Sequence, residues 1–181
     1  MSELQRFLPA DQELLVSLFY RIGQWMSEAD DTDTGTKSEQ VEENAMFKIL
    51  AKLAQSSQAG GLCSDIASES MRQKGSWARW SKQVDSVLED VARAKTVIKD
   101  QGTVEEFHLF GKSLVTIATS VARAYRESTD MESHEIGFLS WLTEKSSHVS
   151  LAVSDREAHK DLNISPAEDS ALNELVAVLK S

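Results

Sequence analysis

Carboxylates gather in one short stretch of this chain, between two segments of strong helical periodicity. Carboxylate oxygens are ligands that Ca²⁺ and Mg²⁺ prefer to nitrogen or sulfur. The pattern predicts a site for a divalent cation such as Ca²⁺ or Mg²⁺, with five candidate ligands: Asp30, Asp31, Asp33, Glu39 and Glu42. The alternative is a solvated loop whose acidic side chains stabilise the positively polarised N-terminus of the following helix.

The same stretch partly matches the calcium-binding loop of EF-hands. Counted from Asp31, positions one, three and twelve are Asp31, Asp33 and Glu42. Position five is Gly35 and position six is Thr36, so one ligand is missing and the turn glycine is displaced. We therefore expect a looser cation site than an EF-hand.

A second acidic junction follows a later helical pattern. Its candidate metal ligands are Asp130, Glu132, His134 and Glu135. When Ala29 is aligned with Ala124, apolar positions of the two preceding helices coincide, and a Thr-x-x-Glu helix start follows each of them. The alignment favours two similar halves, residues 10–58 and 103–149, although unrelated amphipathic helices also align tolerably.

Residues suited to catalysis are few. Cys63 lies at a predicted helix start, where the helix N-terminus lowers a thiol pKa, but a small buried hydrophobic role is the simpler expectation. Glu105 and His108 have the Glu-x-x-His spacing of di-iron bundles, which use two such pairs, and the chain contains one. Phosphate-binding, Cys-x-x-Cys and common hydrolase motifs are absent from the sequence. We expect a protein that is not an enzyme; a bundle enzyme built on His108 would need further carboxylates around it.

Apolar residues at alternating spacings of three and four predict the elements that position these groups. One stripe comprises Trp77, Trp80, Val84, Val87, Val91, Ala94 and Ile98, and a second comprises Phe107, Phe110, Leu114, Ile117, Val121 and Ala124. Gly102 separates the two stripes, and Thr103 with Glu106 has the spacing of a capping box. This arrangement predicts a long antiparallel helical hairpin over about residues 76–128, with the stripes face to face.

Similar patterns predict helices near residues 14–29, 41–53, 64–74 and 135–149, and Pro166 marks the start of a last helix. No segment shows the period of two that is typical of strands. The length of 181 residues suits one buried core. We predict an all-α, single-domain bundle of about six to seven helices spanning residues 1–181.

Composition narrows the range of partners. The net charge of −10 repels the phosphates of nucleic acids, so no nucleic acid partner is expected. Residues 71–82 interleave four cations with two tryptophans, a pattern that we interpret as core aromatic anchors flanked by solvated cations. No apolar run is long enough to insert into a membrane, no secretory signal is recognisable, and the single cysteine fits a reducing compartment. A cytoplasmic location is expected.

The junction of Ala29 and Asp30, followed by a turn and a helix that opens with Glu39, resembles the tellurite-resistance-associated TerB-like family of helical proteins. The resemblance covers about residues 14–53 and 107–142. It implies an all-helical fold of two similar halves, acidic metal binding and a role in the stress response, and it carries over Asp30 and Glu39. Asp31 stands where that family usually has a glycine.

These observations predict a non-catalytic binding module that binds a divalent cation at its acidic interhelix loop and meets a protein partner or a second copy of itself. The TerB-like resemblance implies that this module is stress-associated. The alternative is a metal-independent interaction or scaffold protein. In that alternative, the tryptophan-bearing helix pair forms a homodimer surface.

Overall fold

A computed structural model describes residues 2–29, 39–56, 60–124 and 166–181. Seven α-helices follow one another in the described residues: α1 Pro9–Ala29, α2 Glu39–Gln55, α3 Gly60–Arg72, α4 Trp77–Trp80, α5 Val87–Gln101, α6 Val104–Ala124 and α7 Pro166–Lys180. Short 3₁₀ turns cover Glu3–Arg6, Lys74–Ser76 and Ser81–Ser86. The six longer helices pack as a single bundle, and no strand occurs among these residues. The predicted all-α bundle is confirmed.

Helix α1 is the centre of the bundle. Every residue from 14 to 23 is buried, because α3, α5, α6 and α7 all pack around this helix. A helix that is covered on all sides needs apolar residues beyond a single stripe. The run that includes Leu14, Leu15, Leu18 and Phe19 meets this requirement.

The predicted hairpin is present as α5 and α6, joined at Gly102 and Thr103. Thr103 N–H donates to Glu106 Oε2 at 2.7 Å, and Glu106 N–H donates to Thr103 Oγ1 at 3.1 Å. These reciprocal bonds confirm the predicted capping box. The two helices pack more extensively on α1 than on each other, so the expectation that their stripes mainly face one another was wrong.

The first arm of the hairpin is interrupted, whereas the sequence predicts one continuous helix from Trp77. Residues 81–86 form a 3₁₀ turn, and Gln83 has non-helical dihedral angles, φ −117° and ψ 22°. The apolar stripe nevertheless stays on the core side across the break, since Trp80 and Val87 are both buried. The pattern predicted burial correctly and missed the break.

Arg21 of α1 supplies the physical reason for this break. Its side chain is 3% exposed, and its Nη2 and Nε atoms both donate to the Gln83 carbonyl, the Nε at 3.2 Å. Nη2 also donates to Ser86 Oγ at 2.9 Å and Asp90 Oδ2 at 2.8 Å. The bend thus turns a carbonyl toward a buried guanidinium that needs acceptors.

Helix α7 begins at Pro166 as predicted and lies against α5, α6 and α1. The buried Lys95 of α5 donates from Nζ to the carbonyl of Val178 at 2.6 Å, in the last turn of α7. A cation at this position interacts favourably with the negatively polarised helix C-terminus. Burial lowers the pKa of Lys95, and the nearby Lys99 lowers it further.

Helix α3 begins at Gly60, earlier than the predicted residue 64. The predicted helix at 135–149 lies outside the described residues, as does the end of the predicted hairpin beyond Ala124. The proposed duplication of residues 10–58 and 103–149 therefore stays a prediction.

Candidate functional site

The predicted cation site falls where α1 ends and α2 begins. Helix α1 ends at Ala29, and α2 opens with Glu39, so Glu42 also belongs to the first turn of α2. Asp30, Asp31 and Asp33 lie outside the described residues, and so do the side chains of Glu39 and Glu42. The set of metal ligands stays a prediction. Both glutamates nevertheless lie in the first turn of α2, directly after the acidic loop in the sequence.

Helices α1 and α2 approach each other closely at Gly23. A Cβ atom on Gly23 would lie 2.6 Å from Met46 Sδ and 3.3 Å from Val121 Cγ2. Elsewhere α2 packs chiefly against α3, with a smaller contact to α6. The helices flanking the acidic loop therefore touch at Gly23, where a larger residue would have to displace the end of the Met46 side chain. Apolar periodicity alone does not reveal this contact.

Glu43 shows how one acidic residue of α2 is used. Its Oε2 atom lies 3.0 Å from Nζ of Lys74, the residue that starts the 3₁₀ turn before α4. This ion pair links α2 to the segment that carries the tryptophans. Both side chains are about two-fifths exposed, so the pair contributes little to stability.

The second set of candidate metal ligands, Asp130, Glu132, His134 and Glu135, lies entirely outside the described residues. Glu105 and His108 are exposed in the first turns of α6. Within the described ranges, no three histidine, cysteine or acidic side chains lie together in a way that could hold a metal ion. The described part of the bundle therefore offers no di-iron centre around His108.

The tryptophans of segment 71–82 are core anchors. Trp77 and Trp80 are each 1% exposed, and Trp77 stacks on Tyr20 with ring centroids 4.6 Å apart. The indole N–H of Trp77 donates to the Ser70 carbonyl at 3.0 Å. These rings therefore belong to the core of the described bundle, and a homodimer surface on this helix pair, which stays a prediction, would be formed by other side chains.

The cations around the tryptophans lie at the surface, as predicted, and three of them are paired with acids. Arg72, the last residue of α3, pairs with Glu69 in the preceding turn, and Arg79 pairs with Glu13 of α1 at 2.7 Å. Lys74 pairs with Glu43, as described above. This pairing balances most of the positive charge that an anionic partner would need.

Cys63 lies near the start of α3, but its surroundings disfavour reactivity. The residue is 1% exposed, and burial raises the pKa of its thiol to about 12. A hydrogen bond with Ser113 acts in the opposite direction, and the charge of Glu106 adds to the increase. Burial outweighs the helix N-terminus, so the thiol stays protonated near neutral pH and fills space as a small apolar group.

Among the residues that the structure describes, three large apolar side chains are exposed: Leu8 at 67%, Val104 at 74% and Phe47 at 42%. Leu8 directly precedes α1, and Val104 is the first residue of α6. Arg6 Nη2 lies 2.7 Å from Glu106 Oε1, which holds the starts of these two helices together. Leu8 and Val104 therefore share one end of the bundle. Neither belongs to an apolar stripe, so the periodicity gave no signal for them.

Among the described helices, none is long and apolar enough to cross a membrane. Comparison of the chain with protein-family models, with curated proteins and with solved structures yields no match.

Proposed function

We propose that this protein is a non-catalytic helical binding module that binds a divalent cation at the junction of α1 and α2. The observation that carries the proposal is the placement of acidic residues in the chain. Three aspartates lie between Ala29, which ends α1, and Glu39, which begins α2, and Glu42 follows within the first helical turn. Ca²⁺ and Mg²⁺ are the cations whose ligand preference suits such a set.

Electrostatics provide the driving force. The chain carries a net charge of −10, and closely spaced carboxylates repel one another unless protons or cations neutralise them. Glu43 of α2 pairs with Lys74. Glu39 and Glu42 belong to the first turn of α2, which follows the acidic loop in the sequence. A bound cation would neutralise these charges and supply the largest local charge of the junction.

We expect cation binding to fix the orientation of α2 relative to α1. Helix α2 packs mainly on α3 and touches α1 at Gly23 and Met46. A cation held between the end of α1 and the start of α2 would restrain the angle between these helices and so bias the surface that a partner meets. Phe47, exposed on α2 next to Met46, would belong to that surface.

The TerB-like resemblance at Ala29, Asp30 and Glu39 supports a stress-associated role for this module, and we extend the proposal to that role. We also propose a cytoplasmic location, because the single cysteine, Cys63, suits a reducing compartment. The partner would be a protein or a second copy of the chain. The acidic character of the chain disfavours nucleic acid.

Thermal unfolding of chelator-stripped protein tests the proposal. The melting temperature is measured with Ca²⁺, Mg²⁺, Mn²⁺, Zn²⁺ or Fe²⁺, for the wild type and for an Asp31→Asn/Asp33→Asn variant. A cation that binds the native state raises the midpoint of unfolding, and a saturating ion is expected to raise it by several degrees. The matched control is Asp85→Asn/Asp100→Asn, which makes the same charge change at two exposed aspartates outside the loop.

A shift that the loop variant loses and the control retains would support the cation site. A shift with Zn²⁺ or Fe²⁺ that survives in both variants would direct attention to the second junction and His134. No shift with any ion would refute cation binding at accessible affinities.

That last outcome would favour the metal-independent interaction protein. The exposed side chains of Leu8, Val104 and Phe47 are the observation that supports this second candidate. Exposed apolar side chains that lie together mark sites of protein–protein interaction.

A further inference from the structure

We draw no further inference here: the strongest candidate, the pair of exposed apolar side chains of Leu8 and Val104 at the end of the bundle where α1 and α6 begin, carries nothing because nothing in the described structure shows what covers it.

Discussion

Helix α5 is bounded by two breaks of different construction. The break after α5 is built locally, from Gly102 and from the reciprocal hydrogen bonds of Thr103 and Glu106. The break before α5 depends on Arg21, whose side chain reaches the Gln83 carbonyl from 62 residues away in sequence. One break is capped by its own residues, and the other is held by a buried charge from the central helix.

This difference has an energetic consequence. A capping box adds hydrogen bonds at an exposed helix end, where water can replace them. A buried guanidinium whose acceptors are removed is left with an uncompensated charge in the core. The bend before α5 should therefore be more sensitive to substitution than the turn after it.

The largest effect is expected for Arg21→Met, which keeps much of the side-chain volume and removes the charge. Asp90 is 14% exposed and would lose its buried cation, keeping the ion pair with the exposed Arg93, whose Nη1 lies 3.3 Å from Asp90 Oδ1. The Gln83 carbonyl would lose its donors from Arg21. Removing one partner of a buried pair costs about 3–5 kcal/mol. Urea unfolding, followed by circular dichroism, measures the loss of stability.

Two further variants separate the charge effect from packing. Arg21→Met/Asp90→Leu removes both charges, so it should cost less than Arg21→Met alone. Arg79→Ala breaks the exposed pair with Glu13 and should cost less than about 1 kcal/mol. Equal costs for Arg21→Met and Arg79→Ala would contradict the distinction between the two kinds of charge pair.

A smaller effect is expected for Gly102→Ala at the local turn. A Cβ atom there would lie 2.8 Å from the Ile98 carbonyl oxygen, a backbone atom that moves only with the end of α5. Overpacking of this kind costs about 1–3 kcal/mol. The midpoint and slope of urea unfolding report the change.

Gly75→Ala is the matched glycine control, since nothing lies within 4 Å of a Cβ atom at that position. It should leave stability unchanged or raise it slightly, because alanine restricts the unfolded chain. Equal stability of Gly75→Ala and Gly102→Ala would show that the close approach of the Ile98 carbonyl oxygen does not explain why position 102 needs glycine.

A still smaller loss of stability is expected for Thr103→Ala. The substitution removes the hydroxyl that accepts from Glu106 N–H, and the loss of a capping side chain costs about 1 kcal/mol. Thr96→Ala is the control, because Thr96 lies within α5 and its hydroxyl bonds only back to the Ala92 carbonyl. Since alanine favours the helix, Thr96→Ala should be neutral or stabilising by urea unfolding. If Thr96→Ala lost as much stability as Thr103→Ala, loss of the helix cap would not be the cause of the effect at Thr103.

The two breaks also show what the sequence can predict. The turn after α5 is formed by residues that are close in sequence, Gly102, Thr103 and Glu106, so the sequence alone predicts it. The bend at Gln83 cannot be predicted in this way, because Arg21, which causes it, lies on another helix and because the apolar stripe continues through the bend. The junction of α1 and α2, where we propose a cation site, shows the same contrast. Its acidic residues are visible as a local cluster, whereas the contact of Gly23 with Met46 depends on how α1 and α2 cross.

The smallest effect concerns the pH dependence of the capping box. Burial alone would raise the pKa of Glu106, but hydrogen bonds from Thr103 and Arg6 lower it below its ordinary value of 4.5. The ionised carboxylate therefore stabilises the fold fully above pH 4.5. This contribution disappears as the pH falls through the lowered pKa, because the unfolded chain takes up the proton first.

Glu106→Gln should accordingly remove part of the acid sensitivity of the protein. The gap in stability between wild type and variant is expected to be widest above pH 4.5 and to narrow at lower pH, as measured by urea unfolding across this range. Glu105→Gln changes an exposed neighbour in the same turn and should leave the wild-type profile unchanged. A gap between wild type and Glu106→Gln that is constant with pH would mean that the charge of Glu106 does not stabilise the turn.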